Sequence, residues 1–309
     1  MKYDYHISVC LITYNQENTV EQALLSILNQ NGNLSIEILI GDDASNDKTF
    51  EILSKFKSKY PKNLKIFRRL YNVGATKNLG MLLDKANGKY IAILEGDDYW
   101  LTNSKLNEQI QYMENNNDVG LCFHTTNVYF GDKKVSCIPN ENFKKEDYNF
   151  NKLLRFGPFI HLSSVFFRKS IIAKMPTLFY LNKNICDYSL LLILSESSKI
   201  SYLPNIYSVY RLKSSASSWS SADEIVKAKL SYEYLLLIDS YYSNKYSVYL
   251  SEQIIGYMTK IILYHWRAKD YSSTLTWIEK LFTSNFIIIA KIRALLKILF
   301  MNFFENQSK

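Results

Sequence analysis

Four short apolar runs, three of them followed by a polar loop and a helical stripe, constrain this chain more than any other feature. The runs are residues 7–12, 36–40, 64–67 and 89–94. Between them Val20, Ala23, Leu24, Ile27 and Leu28 recur at helical spacing, as do Phe50, Ile52, Leu53 and Phe56, and then Leu79, Leu82, Leu83 and Ala86. The first stripe is expected to be capped near Asn18 and closed by Asn31-Gly32. Strand, loop and helix in this alternation imply a mostly parallel sheet with right-handed crossovers. Sheets of that kind bind ligands at the carboxyl ends of their strands. Four polar stretches therefore meet on one rim: Thr13-Tyr14-Asn15, Asp42-Asp43 with Ser45 and Asp47, the segment from Asn72 through Gly74 and Lys77 to Asn78, and Glu95-Gly96-Asp97-Asp98-Tyr99-Trp100.

The last of these places three carboxylates within four residues where a buried strand ends. Taken alone it is an acidic turn, with Gly96 supplying the bend and the acids facing water. Asp42 and Asp43 alone would cap a helix, and Lys77 alone would be a solvated charge. Crowded acids repel and lose hydration, whereas a cation shared with a phosphorylated ligand offsets both costs. On one rim the loops read as a nucleotide site with a metal between protein and diphosphate.

At 309 residues, nearly half of them hydrophobic, the chain can build a substantial domain and a smaller addition. The net charge of +8 alone does not choose between nucleic acid, an acidic membrane and a nucleotide-borne substrate. No single element carries a stripe of basic residues interleaved with aromatics, so nucleic-acid binding is not expected. Cys10, Cys122, Cys137 and Cys186 are scattered and read as reduced thiols of a cytosolic protein. No apolar leader precedes the first strand and no stretch of about twenty residues lacks charge, so a cytoplasmic location without a membrane span is expected.

The set of motifs resembles the family 2 inverting glycosyltransferases with the GT-A fold, in a branch associated with bacterial polysaccharides. It consists of Thr-Tyr-Asn after the first strand, Asp-Asp-Ala-Ser-x-Asp after the second, Asn-x-Gly-x-x-x-Asn after the third, and Glu-Gly-Asp-Asp-Tyr-Trp. The resemblance covers about the first 220 residues. It implies a GT-A domain over 1–221, with a nucleotide-sugar half to about 130 and an acceptor half over 131–221, and a helical extension over 222–309. It implies that Thr13, Tyr14, Asn15, Asp42 and Asp43 hold the nucleoside and that Lys77 meets the pyrophosphate as a point charge. Asp97 is the implied metal ligand, supported by Asp98, with Glu95 reaching sugar or ribose. Cys186-Asp187-Tyr188-Ser189 resembles the segment bearing the catalytic base, Asp187, whose plain alternative is a helix N-cap. Residues 159–168 resemble the family's strand into the acceptor side, and 199–204 and 206–211 read as two short strands.

The serine-rich stretch 212–221 falls where the family carries a lid over the donor. Lys213 stands in place of the family's histidine, so Arg211 with Lys213 is expected to neutralise diphosphate. Trp219 either closes over the sugar or anchors the lid. The implied donor is a nucleotide sugar, most often a uridine diphosphate sugar; the implied cofactor is Mn²⁺ or Mg²⁺; and the implied acceptor is a glycan or lipid-linked hydroxyl. His6 and His265 read as structural, while His124 and His161 either pack or line the acceptor pocket. Drawn as a helix, residues 285–304 gather Ile288, Ile292, Leu295, Leu299 and Phe303 on one side, with Lys291, Arg293 and Lys297 opposite. That face suits an anionic membrane surface, packing on the chain's own helices, or a second copy in a homo-oligomer. Two other functions share these features: a sugar-phosphate nucleotidyltransferase, against which stands the lack of a glycine-rich loop after the first strand, and a nucleotide-sugar-binding scaffold without turnover, against which stands Asp187.

Overall fold

The computed structural model describes residues 4–60, 62–139, 148–172, 174–182, 185–212, 222–284 and 291. The expectations placed on Lys213, on Trp219 and on the face formed by 285–304, Lys291 apart, lie outside these residues, as does all but Leu212 of the serine-rich stretch.

The alternation at the start of the chain is realised as β1 (Tyr5–Thr13), α1 (Val20–Leu28), β2 (Ile36–Asp42), α2 (Thr49–Lys59), β3 (Leu64–Arg68), α3 (Ala75–Lys85) and β4 (Gly88–Glu95). Strands β1, β2 and β3 pair in parallel, and β4 joins β1 in parallel on its other side. The apolar residues of β1, β2 and β4 are buried on both faces, as expected of strands flanked by helices. Ile7, Val9 and Leu11 pack with Leu24 and Ile27 of α1 and with Tyr90, Ala92 and Leu94 of β4 in the main core. Helix α1 begins after Thr19, with no side-chain cap, one residue beyond the expected Asn18.

Beyond Glu95 the chain forms β5 (Tyr99–Trp100), α4 (Lys105–Asn115), β6 (Val119–Phe130), β7 (Lys133–Ile138), α5 (Phe150–Phe156), β8 (Phe166–Arg168), α6 (Asp187–Glu196) and β9 (Lys199–Arg211). The described strands make one sheet in the order β3-β2-β1-β4-β8-β6-β9-β5, with β7 on β6. From β4 onward it turns mixed: β8 is antiparallel to β4 and β6, while β9 runs parallel to β6. Two sequence expectations change here. Residues 159–168 yield only the three-residue strand β8, because Leu162–Ser164 coil into a 3₁₀ turn. Residues 199–211 are one strand, since β9 absorbs Pro204 through register shifts against β6 near His124 and Thr125.

The chain divides into two compact units, residues 1–153 with 158–221, and residues 154–157 with 222–309. Within the second unit lie α7 (Glu224–Tyr241), α8 (Ser247–Arg267) and α9 (Tyr271–Thr283), which bury Tyr232, Leu235, Ile254, Met258, Ile262 and Leu281. His265 contacts Asp270 there, 3.0 Å away. No described helix is long and apolar enough to cross a membrane.

Candidate functional site

The loops at the carboxyl ends of β1, β2 and β3 are tied together by their own polar groups. Asp43 N–H donates to Thr13 O at 3.0 Å, Asn15 N–H to Ser45 Oγ at 2.9 Å, Gln16 N–H to Thr49 Oγ1 at 2.7 Å, and Glu17 N–H to Asp47 Oδ2 at 3.0 Å. Asn15 and Ala44 sit at φ 51° and 63°, in the left-handed region that non-glycine residues seldom enter. Such strain persists only where surrounding bonds over-determine the backbone, and these cross-loop bonds do so. Asp43 accepts from the backbone N–H groups of Val73 and Gly74, at 2.9 and 2.8 Å, and so fastens the second loop to the third. Gly74 adopts φ 88°, which a side chain would strain.

Asp42 is wholly buried; one carboxylate oxygen receives Ser45 Oγ and the other lies 3.4 Å from Arg68 Nε. Burial pushes its carboxyl above the usual range, against the Ser45 bonds and Arg68, which act to lower it. Tyr14 is partly exposed beside Thr13, whose hydroxyl oxygen is buried without a hydrogen-bond partner among the described residues. Lys77 lies exposed on the first turn of α3.

Strand β4 delivers the acids. Glu95 is its last residue, Gly96 N–H donates to Ile12 O at 2.9 Å, and Asp98 N–H closes the turn onto Glu95 O at 3.0 Å. A side chain at position 96 would press on the Gln16 amide and on the Thr13 side chain, so glycine suits a turn lying this close to the first loop. Arg211, at the end of β9, holds the turn from outside. Its N–H donates to Asp98 Oδ1 at 3.0 Å, its guanidinium donates to Asp97 O and Gln22 Oε1, and it lies over the Tyr99 ring at 4.5 Å. A residue expected to meet diphosphate thus braces the acidic turn.

His161 enters the same place, which its sequence surroundings do not reveal. Its Nε2 lies 3.6 Å from Asp98 Oδ2 and 3.9 Å from Glu95 Oε2. One ligand-type atom from each of Glu95, Asp98 and His161 lies within 4.8 Å of the others, the group among the described residues with this property. Asp98 is wholly buried, yet its Oδ2 has no hydrogen-bond partner among the described residues, and such an orphan is costly unless a ligand meets it. Two carboxylate oxygens and one imidazole nitrogen suit a divalent cation such as Mn²⁺. The cluster fits a divalent cation of the kind the motif implies, although Asp97, the implied ligand, is not one of its three members. Burial, followed by the charges of Asp97 and Glu95, pushes Asp98 well up; burial pushes His161 down to about 4, leaving the imidazole neutral as metal ligation requires.

Asp187 is the first residue of α6, not its cap; Cys186 holds the cap position, and Asp187 Oδ1 accepts from Tyr188 N–H at 2.8 Å. Burial raises its carboxyl above the ordinary value. Glu95 is pushed up to about 8, first by burial, then by the charges of Asp97 and of Asp187. Asp187 and the acidic turn, about ninety residues apart in sequence, thus share one electrostatic environment.

Beneath the site a buried column supports the segment that carries His161. Lys105 Nζ donates to Gln109 Oε1 at 2.7 Å and lies 4.0 Å from the centre of the Trp100 ring; Gln109 Nε2 donates to Ser164 O, and Trp100 Nε1 to Ser163 O. His124 is buried on β6 against Tyr207, a packing position.

Sheet order, crossovers and an acid-bearing strand at the centre define a GT-A fold, shared with solved glycosyltransferases of low sequence identity. One is Staphylococcus aureus TarS (residues 1–349) in complex with UDP-GlcNAc, with a TM-score of 0.57, 18% identity, and coverage of 88% of this chain and 90% of that one. Another is the mannosyltransferase PcManGT of Pyrobaculum calidifontis, in complex with GDP-Man and Mn²⁺, with a TM-score of 0.56, 15% identity and coverage of 97% and 90%.

The chain belongs to glycosyl transferase family 2, whose profile matches residues 8–175. An uncharacterised protein of Mycobacterium tuberculosis is 31% identical over 219 residues, which are 70% of this chain and 61% of that protein's length. Escherichia coli WfaP, a UDP-Glc:alpha-D-GlcNAc-diphosphoundecaprenol beta-1,3-glucosyltransferase, is 28% identical over 222 residues, 72% of this chain and 83% of WfaP.

Proposed function

We propose that this protein is a metal-dependent inverting glycosyltransferase that moves a sugar from a nucleotide diphosphate sugar, a UDP-sugar by preference, to a hydroxyl of a glycan or lipid-linked acceptor in bacterial surface polysaccharide synthesis. The observation that carries the reading is the cluster at the end of β4, where Glu95, Asp98 and His161 bring ligand-type atoms within 4.8 Å of one another, with the charge of Asp187 acting on Glu95 after burial and Asp97. WfaP and WfgD, both named as glucosyltransferases acting with UDP-Glc on a diphosphoundecaprenol-linked sugar, support the donor and acceptor classes.

In this reading Thr13, Tyr14, Asn15, Asp42 and Asp43 form the nucleoside wall. The bonds among the first three loops preorganise it, so little ordering cost remains for the ligand. Lys77 and the acidic turn face the diphosphate, with Asp97 a ligand of a bound Mn²⁺ or Mg²⁺, Asp98 supporting it with its Oδ2, unpartnered among the described residues, open to the same cation, and Glu95 between that cation and the sugar or ribose. The cation, when bound, offsets charge developing on the leaving diphosphate. Asp187 accepts the proton of the acceptor hydroxyl as that oxygen attacks the anomeric carbon from the side opposite the leaving group. Its raised carboxyl makes it a stronger base than an exposed aspartate while leaving it ionised once the pH exceeds its pKa. The stretch 212–221, with Lys213 and Trp219, is the lid in this scheme, and 285–304 the candidate for peripheral attachment where a lipid-linked acceptor lies.

Nucleotide release from a panel of nucleotide sugars with Mn²⁺ and mixed acceptors tests the whole. Asp187→Asn is expected to lower turnover at least about a hundredfold and leave UDP binding intact, whereas Asp97→Ala loses the Mn²⁺-dependent part of UDP binding. Near-normal turnover in Asp187→Asn removes the base assignment.

A further inference from the structure

We infer that His161 ligates the divalent cation directly, through Nε2, beside the orphaned Oδ2 of Asp98. The inference rests on the metal-dependent reading above and adds a nitrogen ligand that neither the motif nor its spacing contains.

The ring is aimed by its other nitrogen. His161 Nδ1 lies 2.8 Å from Ser163 Oγ, and Ser163 Oγ donates its only hydrogen to Ser208 Oγ, 3.0 Å away. Ser208 Oγ in turn is 2.7 Å from Thr126 Oγ1. With its hydrogen committed to Ser208, Ser163 Oγ can accept from Nδ1–H, the tautomer in which Nε2 presents its lone pair to a cation. Ser163 N–H donates to Nδ1 at 3.3 Å, so ligation through Nε2 requires the proton to sit on Nδ1 and this backbone contact to yield to the hydroxyl one. A hydrogen-bonded second nitrogen is the usual way a ligating histidine is oriented. Tyr210 stacks on the same ring at 4.4 Å and limits its rotation.

Distances from Nε2 to the carboxylates leave room for a cation between them. At 3.6 Å to Asp98 Oδ2 and 3.9 Å to Glu95 Oε2, both are too long for hydrogen bonds. A cation with bonds of about 2.1 Å can touch two atoms up to about 4.2 Å apart, and both pairs fall within that reach. Asp98 Oδ2 is buried with no hydrogen-bond partner among the described residues, while Oδ1 is held by Arg211 N–H, so the carboxylate is fixed with its other oxygen toward His161. A carboxylate held this way is a preformed ligand. His161 is then the contribution of the acceptor-side segment to a site otherwise built from β4.

Mn²⁺ provides the probe. Untagged full-length protein carrying ¹⁵N-histidine, with Mn²⁺ and UDP, is examined by electron spin echo envelope modulation, and Mn²⁺ affinity is measured by titrating the signal of the free ion. The expected result is a ¹⁵N-histidine coupling on bound Mn²⁺ that disappears in His161→Gln, with affinity lowered at least about tenfold. Bound Mn²⁺ without that coupling, or with a coupling that survives in His161→Gln, overturns the inference. The wild-type spectrum decides even where His161→Gln does not fold. Nucleotide release measured alongside separates the two levels: release with Mn²⁺ but no nitrogen coupling sinks the histidine and spares the transferase, while Mn²⁺ that does not bind at all sinks the histidine together with metal dependence.

Discussion

Lys105 is a wholly buried lysine whose ammonium meets Gln109 and the face of Trp100 but, among the described residues, no carboxylate, and burial holds its pKa down to about 7. Its ordinary value is 10.5, which the unfolded chain is taken to keep. Between these two values the unfolded state binds the proton and the folded state does not, so stability rises with pH across that window. For one group titrating at about 7 folded and 10.5 unfolded, the penalty shrinks by about 2.5 kcal/mol from about pH 7.5 to about pH 9.5. Lys105→Met keeps the length and apolar body of the side chain and removes the titration. Urea unfolding followed by far-ultraviolet circular dichroism at three pH values in that interval, on wild type and variant, isolates the effect because other titrating groups cancel in the difference. The wild type is expected to gain about 2.5 kcal/mol on the variant as pH rises. A difference flat to within about 0.5 kcal/mol would refute the reasoning, since it would mean that Lys105 titrates alike in both states.

Two further perturbations address the frame around the site. Arg211→Lys keeps the charge but loses the planar fork that holds Asp97 O and Gln22, so the acidic turn is expected to loosen and kcat/KM for nucleotide release to fall at least about tenfold; unchanged kinetics would remove its bracing role. Glu37, fully buried on β2, receives Ser8 Oγ, the backbone N–H of Asn87 and Lys65 Nζ. Glu37→Ala strands these donors and is expected to cost about 3 kcal/mol in chemical unfolding, with a loss below about 1 kcal/mol counting against it.

Much of the first half of the fold was legible because its signals are local. Strands buried on both faces read as apolar runs, helices as stripes, and the loops between them as polar clusters. The rule that parallel sheets present their loops on one edge places Thr13, Asp42 and Asp97 on one rim. The second half was less legible. β8 has three residues, too few to show a period, and Pro204 gave a false break in β9 because register shifts against β6 let the strand continue through it.

The roles that these side chains take up were decided at longer range. Asp43 is engaged by the backbone of Val73 and Gly74, Arg211 by the acidic turn more than a hundred residues upstream, and His161 by Ser163 and Ser208. The alternation of strands and helices, the family and the acidic end of β4 follow from the order of residues alone, since periodicity and turn chemistry act over a few positions. That Glu95, Asp98 and His161 point at a common centre, with Asp187 inside the same field, only tertiary structure decided. Orientation of a side chain depends on hydrogen-bond partners and packing that arrive from distant strands, and no spacing in the chain encodes them.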